Sequence, residues 1–498
     1  MKLIQTSSIG PQTARSPEGL WIYNGLDCAV THEVFGVLNS QLDSISRATY
    51  EFSRQLQAPV LEMGLRGVKV DQRRRREVIA ILSDRLDQLE AQLNRLVQEG
   101  WGYIGFSYSS PAKVKDLLYD YLKLPPVLKD GQPTTDRNAL EKLEAYNIAR
   151  PILSHIKSCR DLAKTISTLR TEIDTDGRIR TSYNIGGTTT GRFSSSFSIY
   201  GTGTNLQNIT EEVRSIFIAD DGMKLASIDL KSGDAFIVGA LEWNLFRDGK
   251  YLDACESGDI HTAVAKMVWP NLPWTGDLRQ DQIIAERPYY RHHTYRFMCK
   301  KLGHGSNYGG KPYTLSQQSQ IEISLVSDFQ PKYFRAFPAH LRWQGWTEAQ
   351  LKTKGYLISL MGRRRWFFGR RTEPDTIREA LAYDPQGSLS DILNRGLLNV
   401  WRASIRGAPW QVLLQVHDSL VIQYPEELED EVIPELLQLM AIPIDLAHQR
   451  QICIPCDVKV GWNWGEFDED NPDGLKKYRP GADTRRRTPF THVLDRVL

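Results

Sequence analysis

"WQVLLQVHDSLVIQY", residues 410 to 424, consists of two apolar runs hinged on His417 and Asp418. The alternating and β-branched residues on each side predict an antiparallel hairpin that turns at that pair. Two other stretches have strand character, "KLASIDL" (224 to 230) and "CIPCDVKVG" (453 to 461). Because they come from distant parts of the chain, a small antiparallel sheet assembled around the hairpin is expected. Residues 259 to 400 instead read as mostly helical, with breaks at Pro270, Pro288, Gly309, Gly310 and Pro331. From Ile79 the apolar residues recur at Leu82, Leu86, Leu89, Leu93 and Leu96, steps of three and four that predict a long amphipathic helix. "ILSHIKSCRDLAKTISTLRTEI" (152 to 173) offers it a partner stripe for an antiparallel pair. The fold class on this reading is α+β.

That sheet carries two carboxylates. Asp229 ends an apolar strand and Asp418 sits at the turn of the hairpin. A buried carboxylate needs hydrogen bonds, a cation or a metal to offset its lost hydration. If the sheet brings the two together, a divalent cation is the natural partner, and hard oxygen ligands suit Mg²⁺. Singly, each aspartate is also what a turn or cap looks like. "RFMCKKLGHGSNYGG" (296 to 310) adds a second feature, since Arg296, Lys300, His304 and Tyr308 recur at every fourth position. Each step turns a helix by only about 40° beyond a full circle, so the four share one slowly drifting face. A solvated face accounts for the arginine and lysine. Cations followed by an imidazole and a phenol, with Gly303, Gly305, Gly309 and Gly310 among them, suit a triphosphate bearing a sugar and a base.

Composition sets outer bounds. With 498 residues, 41% hydrophobic and 24% charged, the chain is globular and long enough for several subdomains. Its 62 Lys and Arg nearly cancel 60 Asp and Glu, so any polyanion site must arise from local clustering. Six cysteines are too few for a disulfide framework and fit a reducing cytoplasm. Cys453 and Cys456 form a CxxC pair without nearby further ligands, and read as strand residues rather than a zinc knuckle. No apolar run of membrane-spanning length and no signal-peptide pattern is present, so a cytoplasmic protein without a membrane partner is expected. "TTTGRFSSS" (188 to 196) reads as an ordered loop around Arg192, and "YRPGADTRRRTPFTHVLDRVL" (478 to 498) as a basic surface tail.

Taken in order, these segments resemble family A DNA polymerases, the bacterial polymerase I type, and phage-like members in particular. "FSYSSPAKVKDLLYDYLKLPPVLKDGQPTTDRNALEKL" (106 to 143) is similar to the family's thumb. "TTTGRFSSS" followed by "NLQNI" (205 to 209) is similar to its most distinctive signature, interrupted here by "FSIYGTGT". "SIDLKSGDAF", "RFMCKKLGHGSNYGG" and "LLQVHDSLV" match its motifs A, B and C, and "GYLISLMGRRR", "REALAYDPQGSLSDI" and "VKVGWNWGE" complete a collinear set of about 400 residues. The resemblance implies a right-hand polymerase fold with an antiparallel palm sheet, helical fingers and a helical thumb. The expected divisions are an exonuclease-like remnant or connection at 1–45, the lead into the palm at 46–71, and the thumb at 72–180. The first part of the palm follows at 181–265, then the fingers at 266–400, then the second part of the palm with the basic tail at 401–498.

The implied function is template-directed addition of dNTPs to a primer 3′ end, with primer-template DNA and dNTPs as partners and two Mg²⁺ ions, replaceable by Mn²⁺, as cofactors. By matching position, Asp229 and Asp418 hold the metals, while Arg296, Lys300 and His261 contact the triphosphate. Lys300 also protonates the leaving group. Tyr308 packs beside the nascent pair, with His304 at the sugar edge. Arg192 reaches the minor groove at the primer end, where N3 and O2 acceptors are present on every correct pair. Asn205, Gln207, Arg378, Gln386 and His417 match other primer and template contacts.

Three positions depart from the pattern. The glutamate that usually gates against ribose five residues after the motif A aspartate is replaced by Asp234, one methylene shorter. His304 stands where Phe or Tyr is usual, and Ser419 follows Asp418 where Glu is usual. "HDS" is also how single-subunit RNA polymerases look, which keeps them as an alternative beside a catalytically inactive DNA-binding homologue. In "WIYNGLDCAVTHEVF" (21 to 35), which carries an amphipathic pattern, Tyr23 and Asp27 match the third motif of the family's 3′→5′ exonuclease. No DxE motif precedes them, so no autonomous proofreading is expected, and a separate exonuclease polypeptide or other replication proteins are conceivable partners.

Overall fold

The computed structural model describes residues 16–198 and 200–480, and the chain divides into two compact units. Of the described residues, one comprises those up to Leu56 with Ile237–Ser388, the other Gln57–Phe236 with those from Leu389 on. Two of the three division points fall within helices, Gly233–Phe246 and Pro374–Ser404, and the first falls between the helices Ser44–Gln55 and Gln57–Arg66.

The second unit is organised by a five-stranded antiparallel sheet ordered Gln411–Val416, Ser419–Pro425, Met223–Leu230, Cys456–Gly461, Lys476–Lys477. Leu413, Leu420, Ile422, Leu225, Ala226 and Ile228 are wholly buried, and withdrawing that apolar area from water holds the distant segments together. His417 takes the first turn position of the hairpin at φ +52°, where a left-handed residue lets the turn follow the strand twist. The register puts Ser419 opposite Asp229 on one side of the central strand and Asp457 opposite it on the other.

Asp71 starts the helix Gln72–Trp101 by accepting from the backbone N–H groups of Arg73 and Arg74, each at 2.9 Å. Its first half joins Val78 and Leu82 to Leu162, Ile166 and Leu169 of the helix Arg150–Leu169, and its second half joins Leu93 and Val97 to Ile152 and Ile156. The pair is therefore antiparallel. The expected stripe fails at its end, where Leu96 is exposed and Val97 is buried instead. A straight helix drifts by about 20° per heptad, which carries position 96 out of the seam. The segment expected as a loop around Arg192 also differs in part. Ser194–Ser196 forms a short strand against Ser182–Asn184, because that neighbour supplies the ladder partners.

The first unit is largely helical. Its helix Ile323–Ala336 runs through Pro331, against expectation. Val326, Phe329 and Tyr333 are buried on either side of the proline, and this packing outweighs the one missing N–H. The helix Pro17–Gln41 carries Tyr23 and Asp27 but buries no residue. Trp21, Ile22, Phe35 and Leu38 are all exposed and spread around it, so the expected amphipathic stripe is absent. Residues 1–15, and the basic tail from 481 on, lie outside the described residues. Among the described residues no helix is long and apolar enough to cross a membrane.

Asp259 holds the middle of this unit together. Its carboxylate caps the helix Ile260–Val268, accepting from the N–H groups of His261 (3.1 Å) and Thr262 (3.4 Å). It also accepts from the Thr262 hydroxyl, from Gln282, and from Nε and Nη2 of Arg296 at 3.0 and 3.3 Å. Burial opposes its ionisation, but the Arg296 and Gln282 donors outweigh this and hold the carboxyl at about 2. A pKa below the ordinary carboxylate value means stabilisation that is complete at neutral pH and is lost as pH falls from about 4 towards 2. Asp259→Asn should therefore cost about 1–3 kcal/mol in urea unfolding at pH 7. The gap to the native chain should narrow as pH falls from about 4 towards 2; a gap that stays constant over that range contradicts the assignment.

Candidate active site

Asp229 stands at the end of the Met223–Leu230 strand, and Asp418 at the turn beside it, where the backbone carbonyl of Asp418 accepts from the N–H of Leu230 at 3.3 Å. Asp229 keeps solvent access at its tip, yet the surrounding protein displaces enough water to push its carboxyl up to about 6, with the charges of Asp418 and Asp457 adding to the effect. Lys459 offsets part of this. Asp418 has its own counter-charge, Nη2 of Arg192 at 2.9 Å from Oδ1. Gly191 precedes that arginine at φ +82°, a turn that redirects the chain just before Arg192.

The same loop is tied down at two further points. Asn205 accepts from the hydroxyl of Ser195 at 2.5 Å and from the N–H of Gln207 at 3.0 Å. Gln207 donates to the backbone carbonyl of Gln415 at 3.3 Å, and Tyr183 bonds both the N–H and the carbonyl of that residue. Arg192, Asn205, Gln207 and His417 thus gather around the end of the hairpin that bears Asp418. Asp234 lies in the first turn of the helix Gly233–Phe246, half-buried, four residues beyond the strand.

Among the described residues no cluster of three or more His, Cys, Asp or Glu forms a ready-made metal cage. Two crowded carboxylates with solvent access nevertheless fit Mg²⁺, which is commonly held by one or two carboxylates and completed by water and substrate phosphates. Cys453 and Cys456 sit in strands, as expected.

In the first unit, Arg296, Lys300 and His304 surround His261. Burial, followed by the charge of Arg296, pushes that imidazole down to about 4, so it is neutral at pH 7. Arg296 is fixed by Asp259 and reaches Glu286 at 3.5 Å, whereas Lys300 is exposed. The segment is not one regular α-helix. Cys299–Gly303 closes as a π turn between Tyr295–Met298 and His304–Asn307, a widening that often marks functional helices. The rings of His304 and Tyr308 still meet edge to face at 4.9 Å. Asn307, beside Tyr308, is anchored by Tyr333 (2.7 Å) and Tyr251 (3.1 Å), and Tyr333 is bonded in turn to His340 and through it to Glu242. Arg378 and Gln386 lie on the helix Pro374–Ser404, the first exposed and paired with Asp375, the second half-buried.

Sequence reasoning missed Asp259, Glu286 and Asp457. Asp259 was visible as a capping residue before "IHTA", but its hold on Arg296 depends on tertiary contact. The period-two alternation of "CDVKVG" hinted that Asp457 and Lys459 share a face. Their place beside Asp229 required the register.

Comparison with known proteins locates the chain. It is 29% identical over 447 residues to the thermostable DNA polymerase I of Thermus filiformis, an alignment covering 84% of this chain and 48% of that protein. Against the Thermus aquaticus enzyme the figures are 28% over 483 residues, 92% and 53%. The chain thus spans about half the length of the curated relatives it matches. Its fold is shared with the POL domain of Pol1 from M. smegmatis, solved in complex with DNA primer-template and dNTP, at a TM-score of 0.66 and 24% identity over 82% of this chain and 69% of that one. The family model described as DNA polymerase family A matches residues 74–466, most of the chain, and the chain belongs to that family.

Proposed function

We propose that the chain catalyses template-directed addition of dNTPs to a primer 3′ end, with primer-template DNA as its partner in a cytoplasmic setting that suits its six free thiols. The observation that carries this reading is the placement of Asp229 and Asp418 side by side at adjoining strand ends by the register. In the reaction the primer 3′-oxygen bonds to the α-phosphorus, the bond to the β-phosphate bridging oxygen breaks, and pyrophosphate leaves. Two divalent cations, Mg²⁺ or Mn²⁺, supply charge neutralisation and a more acidic primer hydroxyl when bound.

The remaining work falls to this chain's side chains. Asp229 and Asp418 are the oxygen donors, and Asp418 must exchange its bond to Arg192 to serve as one, which frees the guanidinium for acceptor atoms on base edges. Arg296, pre-oriented by Asp259, meets the triphosphate as a fixed cation, and Lys300 brings a mobile one that also supplies a proton to the departing pyrophosphate. His261, neutral at pH 7, donates a ring N–H to phosphate oxygen. Asn205, Gln207 and His417 hold the primer and template near the hairpin, Arg378 and Gln386 contribute further contacts, and Tyr308 with His304 packs on the nucleotide. Asp229→Ala and Asp418→Ala should each abolish primer extension while leaving primer-template affinity within about twofold, since the phosphate contacts remain. Normal extension by either variant contradicts the donor assignment.

One observation favours a broader sugar range. Asp234, at the gate position, is shorter than the usual glutamate and sits half-buried in the first turn of a helix. Ribonucleotides should therefore be incorporated more readily than by a glutamate-gated relative. Asp234→Glu should raise the dNTP over rNTP preference in kcat/KM by about tenfold or more, as a group placed against one hydroxyl can discriminate. No change in that ratio removes Asp234 from the gate.

A further inference from the structure

Residues 349–372, "AQLKTKGYLISLMGRRRWFFGRRT", contain seven Lys and Arg and no carboxylate. They form the end of the helix Ala339–Lys354, a left-handed Gly355, a hairpin of Tyr356–Ile358 with Arg364–Trp366, and the turn that follows. Structure accounts for part of this composition. Arg365 lies over the rings of Phe367 and Tyr383 and pairs with Glu379 at 2.6 Å, and Arg364 pairs with Asp43 at 2.6 Å. Phe367 is buried, its N–H held by the carbonyl of Gly355 at 2.9 Å.

The same contacts leave the opposite side of the hairpin unexplained. With Phe367 turned inward, Phe368 is 96% exposed, and Trp366, stacked obliquely on Tyr356 at 4.7 Å, is 50% exposed. Single exposed apolar residues are ordinary, but here Arg370 follows Phe368 by two residues and the pairing of Trp366 with Tyr356 and of Phe367 with Gly355 brings Lys354 to the same end of the hairpin; both cations are exposed. Flat rings beside exposed cations match a ligand with flat faces strung on an anionic backbone.

We propose that this hairpin is a stacking platform for unpaired nucleotides of a DNA single strand, with Trp366 and Phe368 taking base faces while Arg370 and Lys354 take phosphates. Only an unpaired strand offers free base faces, because in a duplex they are covered by neighbours. An acidic polypeptide would satisfy the cations but has no use for a ring exposed on all sides. The proposal rests on the reading of the chain as one that acts on DNA.

The test uses the full chain in EDTA, so that no catalysis is involved, with fluorescence anisotropy on labelled oligodeoxythymidylate and on a blunt duplex. The double variant Trp366→Ala/Phe368→Ala should bind the single strand about fivefold or more weakly, with duplex affinity changed less than about twofold. Arg370→Ala should reduce the slope of log K against log salt for the single strand by about 0.7. Thermal melting of Arg370→Ala should match the native chain, and the double variant, which also gives up the Trp366–Tyr356 contact, should melt lower yet remain folded at the assay temperature. Unchanged single-strand affinity, an equal loss on the duplex, or displacement of the oligonucleotide by polyglutamate as readily as by unlabelled oligodeoxythymidylate would overturn the proposal. Extension of a primer over a one-nucleotide template overhang separates the two readings. Retention by the double variant leaves the defect confined to single-strand binding, whereas failure of the native chain itself would count against the polymerase assignment and leave the binding comparison standing.

Discussion

Three antiparallel strands force carboxylates into each other's company. Once Ser419 pairs with Asp229, Asp418 has nowhere to go but the adjacent turn, and the Asp457 register adds a third negative charge on the other side. Apolar burial sets this register, because a slip by one residue would turn Leu420 and Ile422 away from Ile228 and Ala226, the buried residues they pair with on one face. Hydrophobic packing thereby maintains an electrostatic arrangement that is unfavourable on its own. Part of that cost is met by Arg192, which explains why a loop of glycine and hydroxyl residues is bonded so firmly to the hairpin through Gln207, Gln415 and Tyr183.

The first unit is built on the complementary logic. A buried aspartate, Asp259, is kept ionised by Arg296, and the arginine is in turn kept in one orientation. A second buried chain of polar contacts, from Glu242 through His340 and Tyr333 to Asn307, fixes the turn that carries Tyr308. Networks of this kind stabilise only when every member is satisfied, so they specify one placement of the cationic segment rather than several.

The central features were legible because they rest on local periodicity. Alternation in 410–424 and 224–230 revealed the sheet, the three-and-four spacing revealed the Gln72–Trp101 helix, and strand ends revealed Asp229 and Asp418. What escaped notice depends on contacts between distant residues. No spacing rule connects Asp259 with Arg296, or Asp457 with Asp229. Pro331 misled because local chemistry disfavours it inside a helix while burial of Phe329 and Tyr333 overrides that preference. Leu96 misled because a strict heptad was projected onto a straight helix. The π turn at Cys299–Gly303 has no sequence signature at all, and it alters the regular face on which Arg296, Lys300, His304 and Tyr308 were first aligned.

A divalent cation shared by Asp229 and Asp418 is the claim on which the remaining roles depend. Mn²⁺ uptake followed by electron paramagnetic resonance tests it without reliance on turnover, using a primer-template ended by a dideoxynucleotide together with the matching dNTP. The native chain should take up Mn²⁺, and Asp229→Asn and Asp418→Asn should each weaken that uptake by more than the roughly tenfold that loss of an outer partner costs. Equal uptake by the native chain and both variants would contradict a metal site at these aspartates.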